Sequence, residues 1–128
     1  MRHRSFNTVA ALAGTLVLAA ALRAAPAAAV GPEAFNNNCR TCHSIKPGDN
    51  RQGPSLNKII GRKAGTASAY AGYSGSLKSS GITWDEATLD KFITNPEAVV
   101  PNNNMKPFQG INDAAVREKI VAYLKSAT

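Results

Sequence analysis

The pentapeptide Cys39-Arg40-Thr41-Cys42-His43 contains both cysteines of a 128-residue chain. Its C-x-x-C-H spacing is the attachment pattern for c-type haem, and the geometry explains the chemistry. On a helix, residues three apart share a face, so two thiols reach the vinyl groups on one edge of a porphyrin while the next residue turns an imidazole toward the iron. Three other readings of these cysteines are weaker. A disulfide between Cys39 and Cys42 would close a tiny loop, which gains least from cross-linking, and would leave His43 unexplained. Zinc in a structural site usually takes four protein ligands, and beyond residue 29 the chain has no Cys or His other than these three. Thioredoxin-like exchange wants the C-x-x-C near a βαβ pattern, and no such alternation of strand residues is visible.

Upstream of the motif the chain changes character. Arg2 and Arg4 form a basic start, the 14 residues from Val9 to Leu22 carry no charge, and Ala27-Ala28-Ala29 fits a small-residue cleavage site. An apolar run of this length is shorter than the about 20 residues that span a bilayer. Residues 1–29 therefore read as a cleaved secretory signal peptide, with an uncleaved anchor as the weaker alternative, and residues 30–128 as one domain. Covalent haem attachment in bacteria follows export, which suits a periplasmic protein. Loss of Arg2, Arg4 and Arg23 from 15 basic against 8 acidic side chains brings the net charge from +7 to +4. So modest a charge, without a Lys/Arg run, argues against nucleic acid as the partner.

Downstream, Met105 lies in Pro101-Asn-Asn-Asn-Met105-Lys-Pro107, which should be neither helix nor strand. A lone Met is usually a core gap-filler, but a haem held by His43 needs a second ligand, and Met105 is the only thioether beyond the leader. Pro32 suits the first turn of a helix running into Cys39. Thr83 and Glu86 match a capping box ahead of Leu89, Phe92 and Ile93, and Asn95-Pro96 ends that helix. Asn112 or Asp113 caps a last helix with Val116, Ile120, Tyr123 and Leu124 on one stripe. Between Ser44 and Ile82 the chain is rich in Gly, Ser and Lys, with one short apolar run around Leu56, Ile59 and Ile60. About 100 residues organised this loosely make a thin core, and a buried porphyrin would supply its missing centre.

Taken in order, Cys39 to His43, Gly53-Pro54-x-Leu56, Gly61-Arg62-Lys63-x-Gly65, Tyr73, Gly81-Ile82-Thr83-Trp84, Asn95-Pro96, Pro101 to Met105, Phe108-Gln109-Gly110-Ile111 and Ala122-Tyr123-Leu124-Lys125 resemble class I cytochromes c, the mitochondrial cytochrome c and bacterial cytochrome c2 group. The resemblance implies an all-α fold of short helices and long loops wrapped around one covalently attached haem c. It implies a monomeric electron carrier and not an enzyme, passing single electrons between respiratory or photosynthetic proteins. Its donor would be a quinol-cytochrome c reductase and its acceptor a terminal oxidase or another periplasmic protein, reached by transient contact with membrane complexes.

The site residues that the resemblance implies are Cys39 and Cys42 for attachment and His43 and Met105 as iron ligands. Pro54 would accept a hydrogen bond from the His43 ring, fixing its tautomer. Arg62, Tyr73 and Trp84 would serve the haem propionates, whose charge must be paired or hydrogen-bonded when buried, and Asn103 joins them around the group. Gly31 and Phe35 would pack the first helix against Ile120 and Tyr123 of the last. The sequence also departs from the family. Where mitochondrial members ring the haem edge with lysines, this chain has Glu33, Asn38, Glu97, Ala98, Asn104, Asn112 and Asp113, while Arg51 remains basic among them and Arg40 and Lys106 lie nearby. Leu77 and Phe92 replace an asparagine and a tyrosine beside the methionine, and a dry pocket is expected there.

Overall fold

A computed structural model describes residues 27–127. The expected leader lies outside them except for the backbone of residues 27–29. The described residues form five helices: α1 (Ala27–Asn38), α2 (Gly75–Ser79), α3 (Glu86–Thr94), α4 (Pro96–Val99) and α5 (Ala114–Ser126). Among the described residues the only extended pairing is one antiparallel bridge between Lys63 and Thr83, so the all-α expectation holds. No described helix is long and apolar enough to cross a membrane.

The crossing of α1 and α5 frames one side of the molecule. A Cβ on Gly31 would stand 3.0 Å from Cβ of Tyr123 and 3.4 Å from the Lys119 carbonyl oxygen, so glycine sets how closely the two helices approach. One turn on, Phe35 meets Tyr123 at a ring separation of 5.5 Å, and Ile120 is fully buried beneath them. The expected packing of Gly31 and Phe35 on Tyr123 is thus present, and Ile120 belongs to the same buried core as Phe35. Pro32 sits deeper in α1 than the sequence reading placed it, because the helix reaches back to Ala27. The N–H that proline lacks would have served only the carbonyl of residue 28, within the first turns.

Helix α3 starts where Asp85 accepts from Thr88 N–H and the Thr88 side chain answers to Asp85 N–H. The expected Thr83/Glu86 box is therefore displaced by two residues. The bridge to Lys63 holds the chain around Thr83 extended, with Trp84 N–H donating to Arg62 O, so the helix begins only beyond Trp84, where Asp85 is the first capping acceptor. Asn95 then ends α3 and caps α4, with Pro96 in the first turn. Asp113 caps α5 through Ala115 and Val116 N–H. Helix α2 was absent from the sequence reading; Ser74 starts it by accepting from Leu77 N–H.

Helix α3 packs on both α4 and α5. Arg117 of α5 pairs with Asp90 of α3 at 2.8 Å and also donates to the Ile111 and Asn112 carbonyls. The loop carrying Met105 leaves the scaffold where Val100 N–H donates to Pro96 O. It returns where Ile111 N–H donates to Ile93 O, both at 2.9 Å. At the return, Gly110 has φ +117°, and a Cβ there would collide with the Thr94 carbonyl oxygen. The long segment from Ser44 to Ser74 lacks helix, yet its polar groups are matched. Ser55, for example, donates to Lys46 O and takes the Asn50 amide oxygen onto its own N–H. Among the described residues no buried side-chain polar atom is left without a partner.

Candidate haem site

The last turn of α1 continues into the motif: Cys39 N–H donates to Phe35 O, and His43 N–H donates to Cys39 O at 2.9 Å. That winding turns Cys39, Cys42 and His43 toward one cavity of about 530 Å³. Cys39 and Cys42 form no disulfide. Burial, and then the neighbouring Cys42, push the Cys39 thiol up to about 12. Thiol–disulfide exchange needs a stabilised thiolate, so Cys39 is suited to the opposite of that role. Among the described residues no three His, Cys, Asp or Glu side chains gather in a way that could hold a metal ion.

His43 is buried, and its Nδ1 lies 2.8 Å from the Pro54 carbonyl oxygen. A carbonyl only accepts, so Nδ1 carries the proton and Nε2 keeps its lone pair. Burial lowers the pKa of the ring, against the Pro54 bond, which raises it; Arg62 lowers it further. The imidazole is thereby held neutral, the form that binds a metal. Gly53 makes this seat possible: a Cβ there would lie 2.2 Å from His43 Cε1. Gly53 N–H also donates to Cys42 O at 2.8 Å, clasping the loop back onto the motif.

Met105 is half-buried, packs against the core and lines the same cavity as His43. Its N–H donates to the Asn103 side-chain oxygen at 2.9 Å. Buried Asn103 spends both amide hydrogens, one on Val100 O and one on the Glu97 carboxylate, at 3.0 Å each. Asn103 thus acts on the backbone of the Met105 loop. Sequence reasoning placed Asn103 around the cofactor but did not connect it to Glu97.

Arg62, Tyr73 and Trp84 also line the cavity. Arg62 donates to the Asn57 and Ser55 carbonyls at 3.1 and 2.8 Å. Among the described residues no carboxylate pairs with it, and burial lowers its pKa. A partly buried cation without a counter-charge suits an anionic ligand. The Tyr73 hydroxyl accepts from Ala67 N–H at 3.2 Å and its ring meets Tyr70 edge-on at 4.8 Å. Tyr70, which the sequence reading passed over, lines the cavity and donates to Gln52 O at 2.6 Å. Trp84 packs on Phe92 at 5.1 Å. Leu56, Ile59, Leu77, Leu89, Ile93 and Leu124 supply apolar wall.

These residues fit a haem. The volume lies within the about 300–1,000 Å³ of pockets that hold organic ligands. Two thiols, a neutral imidazole, a thioether and an uncompensated guanidinium face the cavity, which is the donor set for thioether attachment, axial ligation and propionate binding. Fold and site together define a small c-type haem protein that transfers electrons.

Comparison with known proteins agrees. The family described as "Cytochrome C oxidase, cbb3-type, subunit III" matches residues 26–124. Cytochrome c2 iso-2 of Magnetospirillum fulvum is 44% identical over 95 residues, 74% of this chain and 96% of that protein. Cytochrome c2 of Rhodomicrobium vannielii is 39% identical over 120 residues, 91% of each chain. Among solved structures, cytochrome cH from Methylobacterium extorquens superposes with a TM-score of 0.70 at 42% identity, covering 77% of this chain and 97% of its own. The chain belongs to the cytochrome c family. It carries one covalently bound haem c, and it is an electron-transfer protein, not an enzyme.

Proposed function

We propose that this protein is a periplasmic shuttle whose haem is attached through Cys39 and Cys42 and ligated by His43 and Met105. One observation carries the reading: both candidate ligands line the apolar cavity onto which the two thiols open. When bound, the haem iron takes up and releases one electron as it cycles between ferric and ferrous states. The chain does the rest. Pro54 fixes the His43 tautomer, leaving Nε2 as the ligating atom. Asn103 holds Met105 by its backbone. Two protein ligands leave no open position for a substrate, so an electron is exchanged without rearranging the site. Thioether ligation and an apolar wall disfavour the extra positive charge of ferric iron and raise the potential. Arg62, with Tyr73 and Trp84, stands ready for the propionates.

Residues 1–29 are the leader that takes the chain to the periplasm, where the domain of residues 30–128 works as a monomer. A quinol-cytochrome c reductase would load it and a terminal oxidase or another periplasmic acceptor would unload it. Support comes from the basic, uncharged and alanine-rich order of the first 29 residues and from the relatives named cytochrome c2. A second reading, a subunit held by one oxidase, is favoured by the description of the matching family. Stable co-purification with an oxidase would favour that subunit; reduction and oxidation by separately purified complexes favour the shuttle.

The ligand assignment has a direct test. Wild-type ferric protein should show the far-red sulfur-to-iron absorption band, and Met105→Ala should abolish it and lower the potential. Survival of both properties in the variant would show that another residue is the ligand.

A further inference from the structure

Glu97 stands on α4, eight residues before Met105, yet its carboxylate binds the methionine loop on both sides of that residue. One oxygen accepts from Asn102 N–H at 2.8 Å. The other accepts from Asn103 Nδ2 at 3.0 Å and from Lys106 Nζ. Asn103 relays the hold, because its own side-chain oxygen takes Met105 N–H. Asn102 turns the chain at φ +61°, a left-handed backbone that asparagine adopts more readily than other non-glycine residues, and Asn103 is buried with all of these groups committed.

We propose that Glu97 is a positioning residue for the sixth ligand, latching the Asn102-to-Lys106 segment so that the Met105 sulfur stays on the iron. This rests on Met105 being that ligand. A carboxylate suits the task because it alone accepts at both oxygens; a carboxamide keeps the shape but turns one acceptor into a donor, facing either Asn102 N–H or Asn103 and Lys106. Charge-assisted bonds of this kind are the stronger ones. The Asn102 bond and then Lys106 hold the Glu97 carboxyl below its ordinary range, as expected for an acceptor engaged by both. Lys106 and Glu97 are each about half exposed, and exposed ion pairs contribute little, so the two asparagine bonds carry the latch.

The test uses ferric holoprotein and imidazole as a competitor that must displace Met105 to bind. Glu97→Gln should raise the apparent imidazole affinity about tenfold, speed hydrogen exchange at the Asn102 and Met105 amides, and lower the potential. Cooperative thermal unfolding and the haem attachment should persist. Lys106→Ala should change the affinity less than about twofold. If the wild type shows the sulfur-to-iron band but Glu97→Gln leaves affinity and exchange unchanged, the latch is overturned and the ligand assignment stands. If Lys106→Ala matches Glu97→Gln, the exposed ion pair does the holding and the proposal fails. A wild type without the band overturns the ligand assignment and the latch together.

Discussion

A methyl group at position 53 would lie 2.2 Å from Cε1 of His43 and 2.7 Å from Nδ1, the atom that donates to Pro54. The ring is buried and cannot swing aside into solvent. Gly53→Ala should therefore push the imidazole off its seat and lengthen or break the Pro54 bond. A cost of about 3 kcal/mol is expected, at the upper end for overpacking, together with a fall in potential as the ligand's orientation is lost. Denaturant unfolding and redox titration of the holoprotein check both. Cys39, Cys42 and His43 were legible because their chemistry is written within five consecutive residues. Glu97 was not: a glutamate in Asn-Pro-Glu-Ala reads as a solvated charge until the loop is seen to fold back onto it. Gly53 was visible as part of Gly53-Pro54, but its contact with His43 is a matter of three dimensions.

At the level of elements, the approach of α1 to α5 can be tested at Gly31. Alanine there gains about 1 kcal/mol of helix propensity but meets Tyr123 Cβ at 3.0 Å, an atom fixed to the α5 backbone. The two effects should nearly cancel. Valine has lower propensity than alanine and more bulk, so Gly31→Val should lose about 2 kcal/mol, read as a lower unfolding midpoint with the sulfur-to-iron band intact at room temperature. The helices that carry an apolar stripe were readable from sequence: α3 through Leu89, Phe92 and Ile93, and α5 through Ile120 and Leu124. Caps were read less well. Thr83/Glu86 satisfied the local pattern, but the bridge to Lys63 keeps the chain around Thr83 extended, and no local signal reports a long-range pairing. Helix α2 escaped notice because it is five residues long with no buried side chain. It shows no periodicity, and serines on either side close it.

For the molecule as a whole, the charge around the cavity mouth governs how partners are met. Asn38, Thr41, Gln52, Asn104 and Pro107 are exposed there, and the nearby cation Lys106 is paired with Glu97. Long-range steering scales with the local field and is screened by salt. Electron exchange with a mitochondrial-type oxidase should therefore be slower at low salt than for a lysine-ringed relative. It should also change less than about twofold between about 20 and about 200 mM salt. Introducing Asn38→Lys and Asn104→Lys should restore a steep dependence; a wild type already as salt-sensitive as the lysine-ringed relative would contradict this account. The all-α class and the family were legible from the order of motifs along the chain. The cavity was legible only as a need, since a thin core implied a missing centre without giving its walls.

The Met105 loop departs from α4 at Val100 and rejoins beside α3 at Ile111, so its ends are closed by the scaffold and not by its own contents. That makes residues 101–110 a cassette. A lineage could rewrite those ten residues, and with them the hold on the iron and the face shown to partners, while the α1–α5 crossing and the His43 seat pass unchanged from one generation to the next. Glu97 lies outside the cassette but binds it at three points. The two should therefore be inherited as a pair, and a transplanted loop should work fully only when its keeper travels with it.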